Sequence, residues 1–407
     1  MGRGAATTVS SRDADLSLYR LLAPEVREDP YPLYHRLRAE DPVHWDPFLH
    51  TWVVTAHEHV MTVLQDFSAT RTPSPELLAS LGMDALTPIA RVMVRQMLYM
   101  DPPEHTRIRM VVAKGFAPPR VEVLRDRVAA VVDELLARAE RADGFDVIGD
   151  FARPLPAIIS CEVLGIPTTD WPQLSQWTQA FSELLGNFQH RPAGAARLRG
   201  TVDSFTDYFS RALRDREGAP AGLLDAFVGD GLSADEAVAN AIITLVGGLE
   251  TTTNLIGNGL LALLRNPEQW ERVRAEPACI PAAVEELLRY ESPIQHTARV
   301  APDDMVLGDR RIARRQAVIA VLAAANRDPA VFAEPDRLDI GRTGNRHLAF
   351  GFSTHHCFGA PLARLEAQLA FAALAPRIGS VAAPAAVTWR ADAGAFRGLE
   401  SLHLPFR

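Results

Sequence analysis

Cysteine is scarce in this sequence, and its scarcity limits the chemistry open to the chain. The 407 residues contain three cysteines, Cys161, Cys279 and Cys357, an odd number spread far apart. This spacing excludes a disulfide framework and a zinc site built on a CxxC pair. It fits the reducing cytoplasm, where a cysteine that has a function acts as a lone thiolate.

Long apolar runs are also missing. The first thirty residues hold no stretch apolar enough for a signal peptide. The most apolar segment, 237–264, carries Asn240, Glu250, Asn254 and Asn258, and a membrane span rarely holds so many polar groups. We therefore expect a cytoplasmic protein without a membrane segment.

An excess of positive charge is absent as well. The formal net charge is −8, which argues against a nucleic-acid-binding protein. No strand–GxGxxG–helix unit is present, so the chain has no dinucleotide site of that type. What is present is ordinary for a globular protein, with 47% hydrophobic and 23% charged residues.

Helical periodicity dominates the chain. Ser233 and Glu236 have the spacing of a capping box, and the apolar pattern that follows runs to about Leu264 before Asn266-Pro267 ends it. Such a helix is roughly 48 Å long at 1.5 Å per residue and crosses most of a molecule of this size. Residues 297–322 alternate like short strands, 361–376 form a last helix and 385–407 look extended. We predict a mainly α (α+β) fold, with a flexible N-terminus over 1–20 and a single domain over 21–407.

Two adjacent glycines, Gly247 and Gly248, interrupt the long helix. Each costs about 1 kcal/mol relative to alanine. One interpretation is close packing against a neighbouring helix, and the other is that a large ligand lies against a helix surface cleared of side chains. The hydroxyl of Thr251 can bond back to the carbonyl four residues earlier. With Glu250 beside it, this hydroxyl forms a pair able to relay protons.

The surroundings of Cys357 favour a functional thiolate. The residue stands just before a helix begins, where backbone N–H groups and the helix dipole stabilise negative charge. Phe350 keeps water away, and Gly359 permits a tight turn. An isolated cysteine is more often an inert buried thiol, and we keep that interpretation for Cys161 and Cys279.

Three motifs together resemble those of the cytochrome P-450 superfamily. Phe350–Gly359 matches its haem-ligating signature FxxGxHxCxG except at Ser353. Gly247–Thr251 is similar to its (A/G)Gx(D/E)T motif, and Glu286/Arg289 to its ExxR. The sequence contains five ExxR pairs, so this last match depends on its position about 70 residues before the cysteine. The resemblance runs from about residue 20 to the C-terminus and implies the P-450 fold, with the long helix crossing over haem b (iron protoporphyrin IX).

The resemblance also assigns roles to particular residues. Cys357 would be the axial ligand of the iron, and Glu286, Arg289 and Arg337 would form an ion-pair network that holds the cysteine loop. The remaining haem contacts would come from His105, Arg109, Gly247, Gly248, Arg299, Phe350, His355 and Gly359. Among these, the two histidines and two arginines would bind the haem propionates.

The function implied is that of a haem-thiolate monooxygenase. Thr251 and Glu250 would deliver protons during oxygen activation, and electrons would come from a separate ferredoxin and its reductase. We expect a monomer that binds a hydrophobic natural-product intermediate, such as a polyketide or terpenoid. The ferredoxin would dock on a basic patch of Arg107, Lys114, Arg346 and Arg364. The substrate pocket would be lined by residues 70–95, 181–185, Ile243, Val246, Ile294, His296, Thr297, Ala395 and Phe396.

Three alternatives stay open. A peroxide-driven haem-thiolate enzyme would need no acid–alcohol pair, so Glu250 and Thr251 argue against it. A non-catalytic haem-thiolate protein would show no reductant-dependent turnover. A helical protein without a cofactor would leave the ordered motifs unexplained.

The departure at Ser353 has two expected consequences. If the turn requires a positive φ there, serine costs roughly 1 kcal/mol more than glycine. The Ser353 hydroxyl is also a candidate hydrogen-bond donor to the sulfur of Cys357, and such a bond would raise the potential of the iron.

Overall fold

The structure is a computed structural model that describes residues 11–141, 145–186, 192–379, 387–391 and 394–405. Helices dominate it. The α-helices of these ranges are Ser11–Leu16, Pro24–Glu28, Tyr31–Glu40, His57–Asp66, Pro75–Ser80, Thr87–Met93, Glu104–Ala113, Pro118–Val123, Arg125–Ala139, Pro154–Leu164, Trp171–Gly186, Pro192–Arg214, Leu223–Gly229, Ala234–Arg265, Pro267–Ala275, Ile280–Tyr290, Leu322–Ala325 and Ala360–Arg377.

The β structure is small and comes mostly from the second half of the chain. Its strands are Val43–Asp46, Thr51–Val54, Phe145–Asp146, Thr297–Val300, Met305–Leu307, Arg310–Ile312, Ala317–Ala320, Thr388–Trp389, Leu399–Ser401 and His403–Leu404. The largest sheet has four strands in the order Val43–Asp46, Thr51–Val54, Ala317–Ala320, Thr297–Val300. Its middle pair is parallel, with Trp52 opposite Val318, and the outer pairs are antiparallel.

The helix Ala234–Arg265, called the central helix below, organises the molecule. The Ser233 hydroxyl accepts a hydrogen bond from the backbone N–H of Glu236, and the Glu236 carboxylate accepts one from the N–H of Ser233. The predicted capping box and both helix ends are therefore confirmed to within a residue or two. Neighbouring helices, including Pro154–Leu164 and Ala360–Arg377, pack around it.

The main hydrophobic core surrounds the central helix. Cys161 is fully buried within this core, and burial raises the pKa of its thiol to about 12. This is the inert packing role expected for it. Across the described ranges, no helix combines the length and the apolar character that spanning a membrane requires.

Candidate active site

A cavity of about 270 Å³ lies between the central helix, the loop around Cys357 and the strand Thr297–Val300. Every residue that the resemblance assigned to haem contact is on its wall. These residues are His105, Arg109, Gly247, Gly248, Arg299, Phe350, His355, Cys357 and Gly359. Residues up to 254 positions apart in sequence thus meet in one pocket, since the fold brings positions 105 and 359 together.

The two glycines of the central helix serve different purposes. A Cβ on Gly247 would meet no atom within 4 Å, and this residue is exposed to the cavity in a helix that is otherwise mostly buried. A Cβ on Gly248 would lie 3.1 Å from the hydroxyl of Ser160 on a neighbouring helix. Gly248 therefore fits close packing, whereas Gly247 leaves helix surface bare for a ligand.

Thr251 lies on the cavity wall one turn after Gly247. Its hydroxyl donates a hydrogen bond to the Gly247 carbonyl at 2.6 Å, which confirms the predicted bond to the residue four positions earlier. Thr253 makes the equivalent bond to the Leu249 carbonyl at 2.9 Å but is buried away from the cavity. Of these two threonines, only Thr251 can contact a ligand.

Glu250 is placed differently from its neighbour. The residue is 2% exposed and does not line the cavity. Its carboxylate forms an ion pair with Arg390, whose side chain is 5% exposed. Sequence reasoning missed Arg390 because it lies 140 positions further on, in a segment without a motif.

The loop around Cys357 is held by its own backbone. The N–H of Cys357 donates to the carbonyl of Phe350 at 2.8 Å. Burial raises the pKa of the Cys357 thiol, while the N–H groups of Gly359 and Ala360 and the nearby Arg109 act to lower it. A metal ion bound to the sulfur would decide the balance, because a coordinated thiol is deprotonated.

Ser353 adopts a left-handed backbone conformation, with φ 58°. Serine therefore bears the conformational cost in a turn where the family has glycine. The Ser353 side chain is exposed, and the sulfur of Cys357 receives backbone N–H groups instead. The expected hydroxyl–sulfur contact is not made among the described residues.

A cluster of cationic and imidazole groups lies at one edge of the cavity. The rings of His105 and His355 are 4.2 Å apart, and Arg299 is 3% exposed. Burial lowers the pKa of His355 to about 3, and burial together with the nearby Arg71 lowers that of Arg299 to about 9. Nδ1 of His105, Nε2 of His355 and Nε of Arg299 have no hydrogen-bond partner among the described residues.

These groups fit the propionates of haem. The buried nitrogen atoms of His105, Arg299 and His355 lack acceptors, and Arg299 lies close to a second cation, Arg71. Two buried carboxylates would supply the missing acceptors and the compensating negative charge. Together with the bare helix surface at Gly247 and the single thiol of Cys357, they match a porphyrin ligated by one sulfur. Arg71, which stacks on the Tyr99 ring at 4.4 Å, belongs to the same cationic corner but no motif marks it.

The predicted ion-pair network is present with one member corrected. Glu286 and Arg289 are 1% and 0% exposed and form two hydrogen bonds of 2.7 and 2.8 Å. Arg342 is the third member, with its Nε 3.1 Å from the Glu286 carboxylate. The assignment of Arg337 was wrong, because its side chain is 62% exposed and pairs with Glu334. Arg337 takes part only through its backbone carbonyl, which accepts from Arg289 and Arg342.

This correction can be tested by stability measurements. Replacing Arg342 by alanine leaves a buried carboxylate short of a partner and is expected to lower the free energy of unfolding by about 3 kcal/mol or more. Replacing Arg337 by alanine removes a solvated ion pair and should change it by at most about 1 kcal/mol. Urea unfolding of both variants measures the difference, and equal effects would restore Arg337 to the network.

Part of the predicted substrate wall lies on the cavity. Ile243, Ile294, Thr297 and Phe396 line the cavity. Val246 does not: the wall positions of the central helix are 243–245, 247–248, 251–252 and 255, and Val246 is buried in the core instead. His296 also lies off the wall, since side chains alternate along an extended chain and Thr297 and Arg299 take the cavity side.

Two predicted wall segments are not seen on the cavity. Residues 70–95 form the helices Pro75–Ser80 and Thr87–Met93 outside it, and Met97 and Leu98 supply the wall that this loop was expected to give. Phe181 is buried in the core, and the side chains of 183–185 lie outside the described residues. Ala395 is buried beside the wall residue Phe396.

The expected basic patch is largely neutralised by acidic neighbours. Lys114 pairs with Asp230 at 2.8 Å, and Arg364 pairs with Glu285 at 2.7 Å. Arg107 forms an ion pair with Glu236. The fourth predicted member, Arg346, makes no side-chain ion pair within the described part of the chain. The charges here therefore alternate in sign rather than form a uniform positive surface.

Known proteins resemble this chain in both sequence and structure. A family model described as Cytochrome P450 matches residues 45–375. The chain is 37% identical over 423 residues to the cytochrome P450 monooxygenase PikC of Streptomyces venezuelae, covering 98% of this chain and 96% of that protein. It is 35% identical over 391 residues to the biotin biosynthesis cytochrome P450 of Bacillus subtilis, covering 94% and 97%. The crystal structure of P450BioI, solved with an acyl carrier protein bearing hexadec-9Z-enoic acid, superimposes with a TM-score of 0.88 at 34% identity, covering 94% of this chain and all of that one.

Proposed function

The chain belongs to the cytochrome P450 family, a haem-dependent monooxygenase family, and from this premise we propose that it inserts one atom of O2 into a hydrophobic biosynthetic intermediate. One observation carries the proposal. A single cavity joins Cys357, the cationic cluster for the propionates, the hydroxyl of Thr251 and an apolar wall. Haem bound there supplies the chemistry of oxygen activation, and the protein supplies binding, orientation and protons.

Each part of the cavity has a task in this proposal. Cys357 would ligate the iron and supply it with the electron density of a thiolate. His105, Arg109, Arg299 and His355 would hold the propionates and so fix the plane of the ring. Gly247 would leave room for oxygen beside the central helix, where a larger side chain would occupy the space.

The orientation of the Thr251 hydroxyl suits it to hold a hydrogen-bond donor. Its proton points at the Gly247 carbonyl, so its lone pairs stay available on the cavity side. These lone pairs would accept a hydrogen bond from a protonated ligand in the cavity. Glu250 is the nearest acid in sequence, and it would refill the relay from the side of the helix away from the cavity.

The substrate contact surface is apolar. Met97, Leu98, Ile243, Ile294 and Phe396 contribute to it, with Thr297 as a polar exception. Such a wall suits an aliphatic or polyketide-like chain more than a charged molecule. The names of relatives in polyketide and biotin biosynthesis support tailoring of a natural product or a fatty-acid-derived chain.

We propose that electrons reach the haem from a separate ferredoxin. Since most cations on the cysteine side are paired with acidic neighbours, docking would depend on a few positions such as Arg346 rather than on a broad patch. Association should then weaken only modestly as salt rises.

Reconstitution tests this function. The purified holoenzyme, a plant-type ferredoxin, its NADPH-dependent reductase and free hexadec-9-enoic acid as probe are expected to give an oxygenated product that contains one atom from ¹⁸O2. Omission of ferredoxin should abolish this product. Product formation with hydrogen peroxide alone, at an equal rate and without a reductant, would favour the peroxide-driven alternative.

A further inference from the structure

A second cavity, called the groove below, lies apart from the cavity at Cys357. It has a volume of about 570 Å³ and lies between the helices Thr87–Met93, Pro192–Arg214 and Leu223–Gly229 and the start of the central helix. The two cavities share no wall residue among the described residues. On the central helix the groove wall ends at Val238, and the wall of the cavity at Cys357 begins at Ile243, about 7.5 Å further along at 1.5 Å per residue.

Asn240 lies between the two cavities and ties a neighbouring segment to the central helix. Its side chain accepts a hydrogen bond from the N–H of Met97 at 3.0 Å and donates one to the carbonyl of Arg95 at 2.9 Å. Arg95 lines the groove, Met97 lines the cavity at Cys357, and Gln96 between them is fully buried. The chain that separates the two cavities is thus held in place, and each cavity is a compartment of its own.

The groove wall is mostly apolar, and the helices around it each turn one face toward it. Wall positions recur four residues apart, at 202, 206, 210 and 214 on the helix Pro192–Arg214 and at 234 and 238 on the central helix. Val202, Phe227 and Val238 are buried on this wall, whereas Val228 is 58% exposed. Exposed apolar surface in a concave site favours an apolar ligand that covers it.

Two cations on the groove wall have no acidic partner. The two wall acids, Asp203 and Asp235, are each paired with an arginine, at 3.7 and 3.3 Å. Arg91 and Arg214 are exposed on the wall and form no ion pair within the described ranges of the chain. The groove therefore carries unpaired positive charge, although the net charge of the whole chain is −8.

An apolar groove with two unpaired cations is complementary to an amphipathic anion. We propose that the groove is a second ligand site, for an aliphatic carboxylate whose chain covers Val228 and whose head group is bound by Arg91 and Arg214. Arginine suits this head group because its guanidinium can donate two parallel hydrogen bonds to a carboxylate. The volume of the groove is in the range of small-molecule sites. This site is additional to the proposed oxygenation and does not depend on it.

Titration calorimetry with decanoate tests the site in holoenzyme saturated with clotrimazole. This bulky azole ligates the iron and occupies the cavity at Cys357, and its red-shifted Soret band should stay unchanged as decanoate is added. One decanoate is expected to bind per chain. Decan-1-ol should bind at least threefold more weakly because it lacks the charge, and hexanoate should do so because it buries less apolar surface.

Variants of the two unpaired cations test the head-group contact. Arg91→Gln and Arg214→Gln are each expected to weaken decanoate binding about threefold, and the double variant about tenfold, because exposed ion pairs contribute modestly one by one. Arg120→Gln is the matched control. Arg120 is also exposed and without an ion pair among the described residues, but it lies off the groove. This control should bind decanoate like the wild type, and the clotrimazole band of each variant verifies that it is folded.

Two results would overturn this site. One is equal binding of decanoate to the azole-saturated wild type and the double variant, or binding to neither. The other is a dimer in light scattering that Val228→Glu dissociates, because the groove would then be an interface between two copies of the chain. In a monomer, Val228→Glu should instead weaken decanoate binding at least threefold, since it replaces apolar surface on the groove wall with a negative charge.

Discussion

Replacement of Cys357 by alanine is expected to abolish the red-shifted Soret band of the reduced, CO-bound protein and all reductant-dependent oxygenation. The sulfur of Cys357 is the only thiol on the cavity wall among the described residues. No other residue there can supply a thiolate, and thiolate donation is what shifts the band and favours O–O cleavage. The CO difference spectrum of dithionite-reduced protein measures the first effect, and the NADPH-driven assay measures the second.

Two features make this test specific. The hydrogen-bond donors of His105, Arg299 and His355 remain in the variant, so haem should still bind, with a spectrum lacking the thiolate band. Cys279→Ser is the matched control, since Cys279 is a half-buried thiol away from the cavity. It should retain the red-shifted band. Survival of that band in Cys357→Ala would remove the haem-thiolate assignment.

The sequence allowed the fold class and the position of the site to be predicted because their signals are local. The capping box at Ser233, the stop at Asn266 and the glycines at 247 and 248 each depend on near neighbours along the chain. The loop before Cys357 is likewise a short continuous motif. A pattern of this kind can be recognised without knowledge of tertiary contacts. The central helix therefore forms where it was predicted, and the predicted haem-contact residues line one cavity.

The errors lie where distant segments meet. Arg342 replaces Arg337 in the Glu286 network because the chain turns between them and returns one guanidinium to the core while the other stays in solvent. Arg390 was not foreseen because nothing near it in sequence indicates that its segment packs on Glu250. His296 was wrongly predicted to lie on the wall. Its true orientation depends on the strand register, which is set by the pairing of Thr297 with Ala320 on a distant segment. Each is a fact of packing rather than of local propensity.

Thr251→Ala is expected to keep consuming oxygen while losing its coupling to product. Electron transfer does not require the Thr251 hydroxyl, so NADPH oxidation should stay within about threefold of wild type. The hydroxyl lies on the cavity wall one turn after the bare surface at Gly247 and donates to the Gly247 carbonyl. Without it, protonation occurs in the wrong place or too late, and the reduced oxygen leaves as hydrogen peroxide. A positioned proton relay contributes about 10²-fold or more, so product per oxygen should fall at least about tenfold even if water replaces part of the relay.

The helix itself supplies the control for this prediction. Thr253→Ala removes an equivalent hydrogen bond to the carbonyl four residues earlier, at a buried position off the cavity. If Thr251 acted only by opening the helix through such a bond, the two variants would uncouple alike. Because we assign its effect to the hydroxyl in the cavity, Thr253→Ala should remain coupled while Thr251→Ala releases peroxide. Thr251→Ser keeps the hydroxyl and should recover most of the coupling. Full coupling in Thr251→Ala would show that protons reach the oxygen by a route independent of Thr251, and the relay role proposed for Glu250 would fall with it.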